Sequence, residues 1–327
     1  MNALGVDISK GWFDVCLLHG EQRTAQRFDN NLAGFAALHQ WLAQQCKGLP
    51  PASLHVAMEA TGRYGDALAT ALVEWGYPVS IVNPARIKAY AASLGQQHKS
   101  DQADAYVIAD FCRRRPPRLW QPPTSSHAAL RAMVRHLDAL QLMRTQERNR
   151  LQAGPLPPQV EQLIGAHLAF IQQQLAELQR QLDAWIDDDP DLKQQHDLLC
   201  SIVGIGSLTA TKLLGELPPI TLFADARALA AFAGLIPRQQ GSGKRSWPSR
   251  LSKAGRSDLR KLLYFPALSA RRHNPILRAF ADRLAANGKA AMQVIAAVMR
   301  KLLHLVYGVL KHQQPFDPDY LPKHALA

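Results

Sequence analysis

Four acidic residues lie where a divalent metal site would need them: Asp7, Glu59, Asp101 and Asp104. Asp7 ends one short apolar run and Glu59 ends another, and both runs have the length of a β-strand. Asp101 and Asp104 stand three residues apart at the predicted start of a helix, so they share a helix face. Carboxylates brought together repel one another, and hard cations with oxygen ligands relieve that repulsion. Two such cations about 4 Å apart are a known arrangement for phosphodiester chemistry.

Each of these acids also has an ordinary structural explanation. Asp7 could cap a turn, and Glu59 could pair with Arg63. Asp101 could be an N-cap, and Asp104 a first-turn acid favoured by the helix dipole. Their positions favour chemistry, because strand interiors disfavour acids and α/β proteins form their sites where strands end.

Two neighbouring acids are expected to be structural rather than catalytic. Alternation along its strand predicts that Asp14 points outward. Asp110 lies two helical turns beyond Asp104, away from the strand ends. Neither residue is therefore included in the predicted metal site.

The elements that must position the acids form a predicted α/β domain over residues 1–125. Residues 1–28 contain the patterns of a hairpin and a third strand, and strands and helices alternate from residue 32 to residue 114. Antiparallel strands followed by alternating strands and helices predict a mixed sheet with helices on both faces. Prolines 116, 117, 122 and 123 end this domain.

A helical segment is predicted over residues 126–191. Its apolar residues recur at three- and four-residue spacing, and a Gly-Pro-Leu-Pro-Pro stretch at 154–158 divides it in two. This pattern indicates an antiparallel helical hairpin or a coiled coil, with simple packing helices within one domain as the alternative. The acidic stretch 187–191 marks the next boundary.

Residues 192–327 form a predicted, mostly helical domain of basic character. They hold 20 Lys and Arg against 7 Asp and Glu, whereas residues 1–191 hold 18 against 19. General solubility could explain a modest positive excess, but so complete a division favours a polyanionic partner. We therefore expect this domain to bind nucleic acid.

A Gly-Ile-Gly turn, from Gly204 to Gly206, separates two helical patterns as in helix-hairpin-helix DNA-binding motifs. Glycines let the backbone approach phosphate, and the second helix begins with free N–H groups. A tight turn without a ligand is the alternative. A polar loop over residues 239–252 follows, and we expect nucleic-acid contacts from the cations in and around it: Arg238, Lys244, Arg245, Arg250, Lys253 and Arg256.

The composition excludes several classes of protein. Hydrophobic residues make up 47% and charged residues 20% of the 327 positions, which is ordinary for a globular protein. No window approaches the roughly 18 apolar residues of a membrane span, and the chain enters its first strand without a signal-peptide pattern. The four cysteines are far apart and form no Cys-x-x-Cys, which indicates reduced thiols in the cytoplasm.

Taken in order, seven segments resemble the DEDD transposases of bacterial insertion sequences, relatives of the Piv invertase. The N-terminal segments are Val-Asp-Ile-Ser-Lys at 6–10, Met-Glu-Ala-Thr-Gly at 58–62, Val-Asn-Pro at 82–84 and Lys-Ser-Asp-Gln-Ala-Asp-Ala at 99–105. The segments at 202–206, 231–238 and 252–255 are similar to the second domain of that family. The resemblance spans nearly the whole chain, and its motifs are specific only as a set.

This resemblance implies an RNase H-like fold, similar to the RuvC Holliday-junction resolvase, followed by a coiled-coil segment and a helical transposase domain. It implies that the four acids bind Mg²⁺, with two ions in the site. It also implies a serine nucleophile, best matched by Ser242 between two glycines. The stretch from Ser242 to Ser252 is slightly shorter than the family pattern, so Ser246 and Ser249 stay possible.

The family further implies a structured guide RNA, a bridge RNA, that pairs with target and donor DNA while the protein binds backbone and shape. We therefore expect a Mg²⁺-dependent DNA recombinase or transposase that acts through a covalent serine–DNA intermediate. We expect it as a homodimer or homotetramer in the bacterial cytoplasm, associated with the nucleoid and with no membrane partner. One rival is a RuvC-like nuclease or resolvase that uses metal-activated water, and another is a nucleic-acid-binding protein without enzymatic activity.

Overall fold

The computed structural model describes residues 2–60, 62–94, 101–238, 241–242, 245–246, 250–252 and 254–318. Within these ranges it leaves out the side chains of residues 63, 101, 102, 238, 241, 242, 245, 246 and 250. The chain divides into two compact units, Met1–Pro122 (unit 1) and Pro123–Ala327 (unit 2). The predicted helical segment 126–191 lies within unit 2, close to the division.

Unit 1 contains one five-stranded sheet, made of β1 (Asn2–Ile8), β2 (Trp12–His19), β3 (Gln22–Asp29), β4 (Leu54–Glu59) and β5 (Val79–Val82). The spatial order is β3-β2-β1-β4-β5. Strands β1, β2 and β3 are antiparallel neighbours, and β4 is parallel to both β1 and β5. Four helices accompany the sheet: α1 (Leu32–Gln45), α2 (Asp66–Glu74), α3 (Pro84–Ser93) and α4 (Asp101–Arg114). The predicted mixed sheet is confirmed.

Alternate residues of the strands lie in cores on opposite faces of the sheet. Val6 and Met58 belong to the core that contains apolar residues of α1 and α2. Ala3 and Ala57 belong to the opposite core, which contains apolar residues of α3 and α4. Odd-numbered positions of β1 and β4 therefore lie on the face that α4 covers.

Helix α4 packs against β1 at a glycine. A Cβ atom on Gly5 would lie 2.1 Å from the carbonyl oxygen of Ala105 and 2.3 Å from the amide nitrogen of Ala109. Further along the helix, the Cys112 thiol donates to the carbonyl oxygen of His55, at the beginning of β4, over 3.8 Å. Because β4 is parallel to β1, α4 runs antiparallel to both strands. Its N-terminus therefore lies toward their carboxyl ends.

Unit 2 begins with two long helices, α5 (Ser125–Gln152) and α6 (Pro158–Asp187). The hydroxyl of Ser126 donates to Asp189, and His167 lies 3.1 Å from Glu147, so α5 and α6 are antiparallel. The antiparallel helical hairpin is present and shares one apolar core with the rest of unit 2, which also agrees with the alternative of packing helices within one domain. Coiled-coil geometry stays a prediction. Among the residues that the structure describes, the α-helices that follow are α7 (Pro190–Cys200), α8 (Ser207–Glu216), α9 (Ala226–Phe232), α10 (Ser257–His273), α11 (Pro275–Ala286) and α12 (Ala291–His312).

In the described part of unit 2, one apolar core contains residues from each helix from α5 to α12. Helix α12 contributes nine buried residues to unit 2. In the described part of the chain, α12 alone is long and apolar enough to cross a membrane by length and composition, yet half of that stretch is buried. Such burial is typical of the core helix of a globular unit.

The polar loop predicted over residues 239–252 has a stem of short strands. Strand β6 (Pro237–Arg238) pairs with β9 (Arg250–Leu251), and β7 (Gly241–Ser242) pairs with β8 (Arg245–Ser246), both antiparallel. The amide of Ser252 donates to the carbonyl oxygen of Ile236 over 2.8 Å. The stem therefore fixes both ends of the loop next to each other.

Candidate active site

Asp7 and Glu59 occupy adjacent parallel strands at the edge where both strands end. Val6 pairs with Met58 in the β1–β4 register, so the next positions along, Asp7 and Glu59, are neighbours. Both acids are at odd-numbered positions, on the face that α4 covers, and both are partly buried. Acids on neighbouring strands thus share one face of the sheet.

The first turn of α4 lies toward the same edge. Ala105 lies against Gly5, and α4 runs antiparallel to β1, so the preceding turn of the helix extends toward the level of Asp7. Asp104 is partly buried, and Asp101 is the first residue of the helix, with its side chain outside the described residues. The elements that carry all four predicted acids therefore meet at one end of the sheet. The catalytic roles of these acids stay a prediction.

The donor atoms available at this edge are carboxylate oxygens, which suit Mg²⁺ and similar hard cations. Among the side chains that the structure describes, no three His, Cys, Asp or Glu residues form a group that could hold a metal ion. The side chain of Asp101, the fourth predicted ligand, lies outside the described residues. The donor type of the predicted acids fits a divalent cation.

The prediction that Asp14 points outward is wrong. Asp14 is 2% exposed and lies directly opposite Asp7 in the β1–β2 register. Its carboxylate accepts hydrogen bonds from its other cross-strand neighbour, Arg27, at 2.8 Å and 3.1 Å. The physical reason is that β2 is buried on both faces from Phe13 to Leu18, so alternation does not separate an exposed side from a buried one. Asp14, which the sequence analysis set aside, is thus a neighbour of the candidate site, together with Arg27, which the sequence did not single out.

Asp110 has the surroundings of a structural acid. It is 1% exposed and accepts hydrogen bonds from Tyr90, Arg113 and Arg114. Burial raises the pKa of Asp110, but these hydrogen bonds outweigh burial and the net pKa is lowered. Burial and the contact with Asp110 raise the pKa of Tyr90 to about 12.

The two glycines of the Gly-Ile-Gly turn have different surroundings. Gly204 has a φ of 109°, and a Cβ there would lie 2.6 Å from the Cβ of Ala270 on α10. Close packing and left-handed backbone therefore explain Gly204 without a ligand. Gly206 is the N-cap of α8, has no side-chain cap, and has open space where its Cβ would lie. Gly206 remains the better candidate for a phosphate contact.

The residues predicted in and around the loop fall into three groups: those outside the described residues, those with only the backbone described, and Arg256, whose side chain is described. Lys244 and Lys253 lie outside the described residues, as does the alternative nucleophile Ser249. Only the backbone is described for the nucleophile candidates Ser242 and Ser246 and for Arg238, Arg245 and Arg250, all in the short strands of the stem.

Arg256 is described completely, and two acids hold it. Its guanidinium donates to Glu216 and to Asp258, with an Nε to Oδ1 distance of 2.9 Å for Asp258. A nucleic-acid contact by Arg256 stays a prediction, but such a contact would have to compete with this internal ion pair. Neither Glu216 nor Asp258 was singled out from the sequence, and no local pattern connects Arg256 to Glu216, 40 residues away.

Two family models match the chain. Residues 4–154 match a DEDD-type model described as "Transposase", and residues 196–282 match one described as "Transposase IS116/IS110/IS902 family". The first match covers the predicted acids and indicates the use of a divalent metal.

Curated relatives cover most of the chain. The pilin gene-inverting protein of Moraxella bovis is 34% identical over 317 residues, which is 96% of this chain and 97% of that protein. The transposase for insertion sequence element IS1328 of Yersinia enterocolitica is 26% identical over 290 residues, 80% of this chain and 81% of its own length. The transposase for IS1111A of Coxiella burnetii is 25% identical over 301 residues, 83% and 78% respectively. The chain therefore belongs to the IS110/IS116 family of insertion sequence transposases, enzymes of DNA recombination.

Proposed function

We propose that this transposase is a Mg²⁺-dependent DNA recombinase with an RNase H-like, RuvC-like catalytic unit. Asp7, Glu59, Asp101 and Asp104 would hold two Mg²⁺ ions. The observation that carries the proposal is the convergence of β1, β4 and the first turn of α4 at one end of the sheet. Bound divalent cations would supply Lewis-acid polarisation of the scissile phosphate.

Ser242 is the proposed nucleophile toward DNA. Its Oγ attacks the phosphorus, one phosphorus–oxygen ester bond of the DNA strand breaks, and the leaving oxygen takes a proton to become a free hydroxyl. The serine proton is lost in the same step, and a phosphoserine–DNA ester remains. A hydroxyl of another strand then attacks this ester, and Ser242 regains its proton. The ester bond is conserved throughout, so strand exchange needs no ATP.

The residues around Ser242 support this role chemically. It lies between Gly241 and Gly243, which leaves room for a phosphate beside the hydroxyl. Arg245 and Arg250 lie on the same stem of short strands and offer positive charge to a DNA backbone. A guide RNA would read the sequences of target and donor DNA by base pairing, and the protein would act as a homodimer or homotetramer on two duplexes.

The test is a search for a covalent protein–DNA product. The protein is incubated with end-labelled element-end DNA, the RNA transcribed beside the gene and Mg²⁺, and the products are separated on a denaturing gel. We expect a protein-linked strand that disappears with EDTA, with Asp7→Asn and with Ser242→Ala. Ser246→Ala and Ser249→Ala serve as matched serine controls and should retain the adduct.

Three results would contradict the proposal in different ways. Strand cleavage by Ser242→Ala without any adduct in the wild type would favour a nuclease or resolvase that uses metal-activated water. Full activity of Asp7→Asn and Glu59→Gln would remove the catalytic role of the strand-end acids. Recombination that proceeds equally well without the RNA would remove the guide from the mechanism.

A further inference from the structure

A buried carboxylate joins three helices near the stem of the serine loop, which we define as residues 239–252. Glu216, the last residue of α8, is 6% exposed. Arg135 of α5 donates to its two oxygens, with Nε to Oε1 at 2.9 Å and a terminal nitrogen to Oε2 at 3.2 Å. Arg256, which immediately precedes α10, donates to the same Oε2.

The pKa values of Arg135 and Asp258 are shifted by their ion-pair partners. The hydrogen bond to Glu216 raises the pKa of Arg135. Burial raises the pKa of Asp258, but the hydrogen bonds from Arg256 outweigh burial and lower it. Two guanidinium groups thus share one buried carboxylate, and Asp258 binds the second guanidinium at 2.9 Å and 3.0 Å.

Backbone contacts fix the chain on the C-terminal side of the serine loop. The amide of Arg256 donates to the carbonyl oxygen of Phe232 over 2.9 Å. A Cβ on Gly255 would lie 2.4 Å from the amide nitrogen of Gly234, so the two backbone segments touch. The guanidinium of Arg260 donates to the carbonyl oxygen of Gly255 over 3.0 Å and to that of Ala233 over 2.9 Å. Arg256 therefore connects the chain that follows the serine loop to Glu216.

We propose that Arg135, Glu216 and Arg256 form a clamp that positions the serine loop relative to α5 and α8. The positioning role rests on the proposed function of Ser242. Helix α8 begins after the Gly206 turn, which is the candidate contact for a DNA phosphate, and ends at Glu216. The clamp therefore holds the serine loop at the C-terminal end of α8. The clamp residues are positioning residues and do not contact the reacting atoms.

The clamp has a feature that packing alone does not require. A buried ion pair is often no more stabilising than apolar side chains of the same volume, whereas its hydrogen bonds fix a unique geometry. Breaking one partner leaves the other charges in place but poorly oriented. A nucleophile displaced by about 1 Å loses about 100-fold in rate, so a small shift of the loop is measurable.

Glu216→Gln tests the clamp. The glutamine keeps the volume and one acceptor oxygen, but its amide group would face one of the two arginines donor to donor. Lys212→Met is the matched control. Lys212 also joins α8 to α5, through Asp138 at 2.5 Å and Gln141 at 3.0 Å, but lies one helical turn before Glu216 and outside the Arg135–Glu216–Arg256 group. Both variants should therefore weaken the same helix pair.

Two measurements are made on the full-length protein. Hydrogen exchange is followed at the backbone amides of residues 250–256, and adduct formation is timed at saturating DNA. We expect Glu216→Gln to accelerate exchange there and to slow adduct formation about 100-fold with unchanged DNA affinity, while Lys212→Met leaves both at wild-type values. Wild-type exchange and rate in Glu216→Gln, or equal effects in Lys212→Met, would overturn the clamp.

The hydrogen-exchange measurement tests the clamp independently of the proposed serine mechanism. Absence of any adduct in the wild type would refute the serine mechanism, yet exchange would still report whether Glu216 orders the loop end. An adduct in the wild type with unchanged exchange in Glu216→Gln would refute the clamp and leave the serine mechanism standing.

Discussion

At the residue scale, the Asp14–Arg27 pair shows how burial decides which partner matters for stability. The Asp14 side chain is 3% exposed and the Arg27 side chain is 51% exposed. Arg27→Met would leave a buried carboxylate beside Asp7 without this guanidinium, and we expect a loss of about 3 kcal/mol in the free energy of unfolding. Asp14→Asn leaves an arginine that water can solvate, so its cost should stay below about 1.5 kcal/mol. Urea unfolding measures both, and equal costs would contradict this asymmetry.

The low pKa of the His304 ring leads us to expect that the free energy of unfolding of unit 2 decreases in acid. Burial, followed by the charges of Arg300, Lys301 and Arg227, lowers the pKa of His304 to about 4 despite the opposing charge of Asp225. The ring of His304 binds a proton near pH 6.5 in the unfolded chain and near pH 4 in the folded chain. The stability that the neutral ring contributes is therefore fully present above pH 6.5 and is lost as the pH falls toward 4.

The measurement combines two observations on His304. The NMR resonance of its ring should titrate with a midpoint near pH 4, and His304→Gln should flatten the decline of stability between pH 6.5 and pH 4. His312, at the exposed end of α12, supplies the control substitution. A His304 midpoint near pH 6.5 would show that the buried, cationic surroundings do not act on it.

At the element scale, the contact between β1 and α4 controls the placement of the first turn of α4. Gly5→Ala would put a methyl group 2.1 Å and 2.3 Å from backbone atoms of α4, which cannot rotate away as a side chain can. We expect a loss of about 3 kcal/mol or more, with α4 displaced from the strands. Gly11→Ala is the control, because nothing lies within 4 Å of its Cβ position.

Metal binding at the candidate site distinguishes a displacement of α4 from a general loss of stability. If α4 shifts, Gly5→Ala should also weaken Mn²⁺ binding, measured by calorimetry at a temperature where the variant is folded. Gly11→Ala should match the wild type in both stability and metal affinity. Wild-type stability of Gly5→Ala would mean that β1 and α4 are not in contact as described.

Sequence reasoning succeeded for elements whose pattern is local. The apolar runs of β1 and β4 and the helical periodicity of α5 and α6 are visible within short windows, and the acids at strand ends follow from them. It failed for Asp14, because a strand buried on both faces shows no outward side. Arg135 and Glu216, 81 residues apart, could not be paired, since only tertiary packing brings α5 and α8 together.

At the scale of the whole molecule, the excess positive charge and the predicted catalytic acids belong to different parts of the chain. The predicted metal ligands lie in unit 1, while residues 192–327 hold an excess of 13 positive charges. An excess on this scale attracts the DNA backbone through counterion release, without regard to sequence. The affinity for DNA should therefore fall steeply with salt, and the slope should depend on cations of unit 2.

The salt dependence of DNA affinity, measured on single variants, shows which of these cations contact a phosphate. Each arginine that contacts a phosphate contributes about one unit to the slope of log affinity against log salt concentration. Arg245→Ala and Arg250→Ala should each lower the slope by about one, and Lys47→Ala, an exposed position in unit 1, should leave it unchanged. Arg256→Ala tests whether the predicted contact of Arg256 with nucleic acid competes with its internal ion pairs, and an unchanged slope would mean that Glu216 and Asp258 keep the guanidinium. Fluorescence anisotropy between about 50 and 200 mM salt measures the slopes. A slope lowered as much by Arg256→Ala as by Arg250→Ala would mean that DNA displaces the two acids, and that Arg256 contacts phosphate after all.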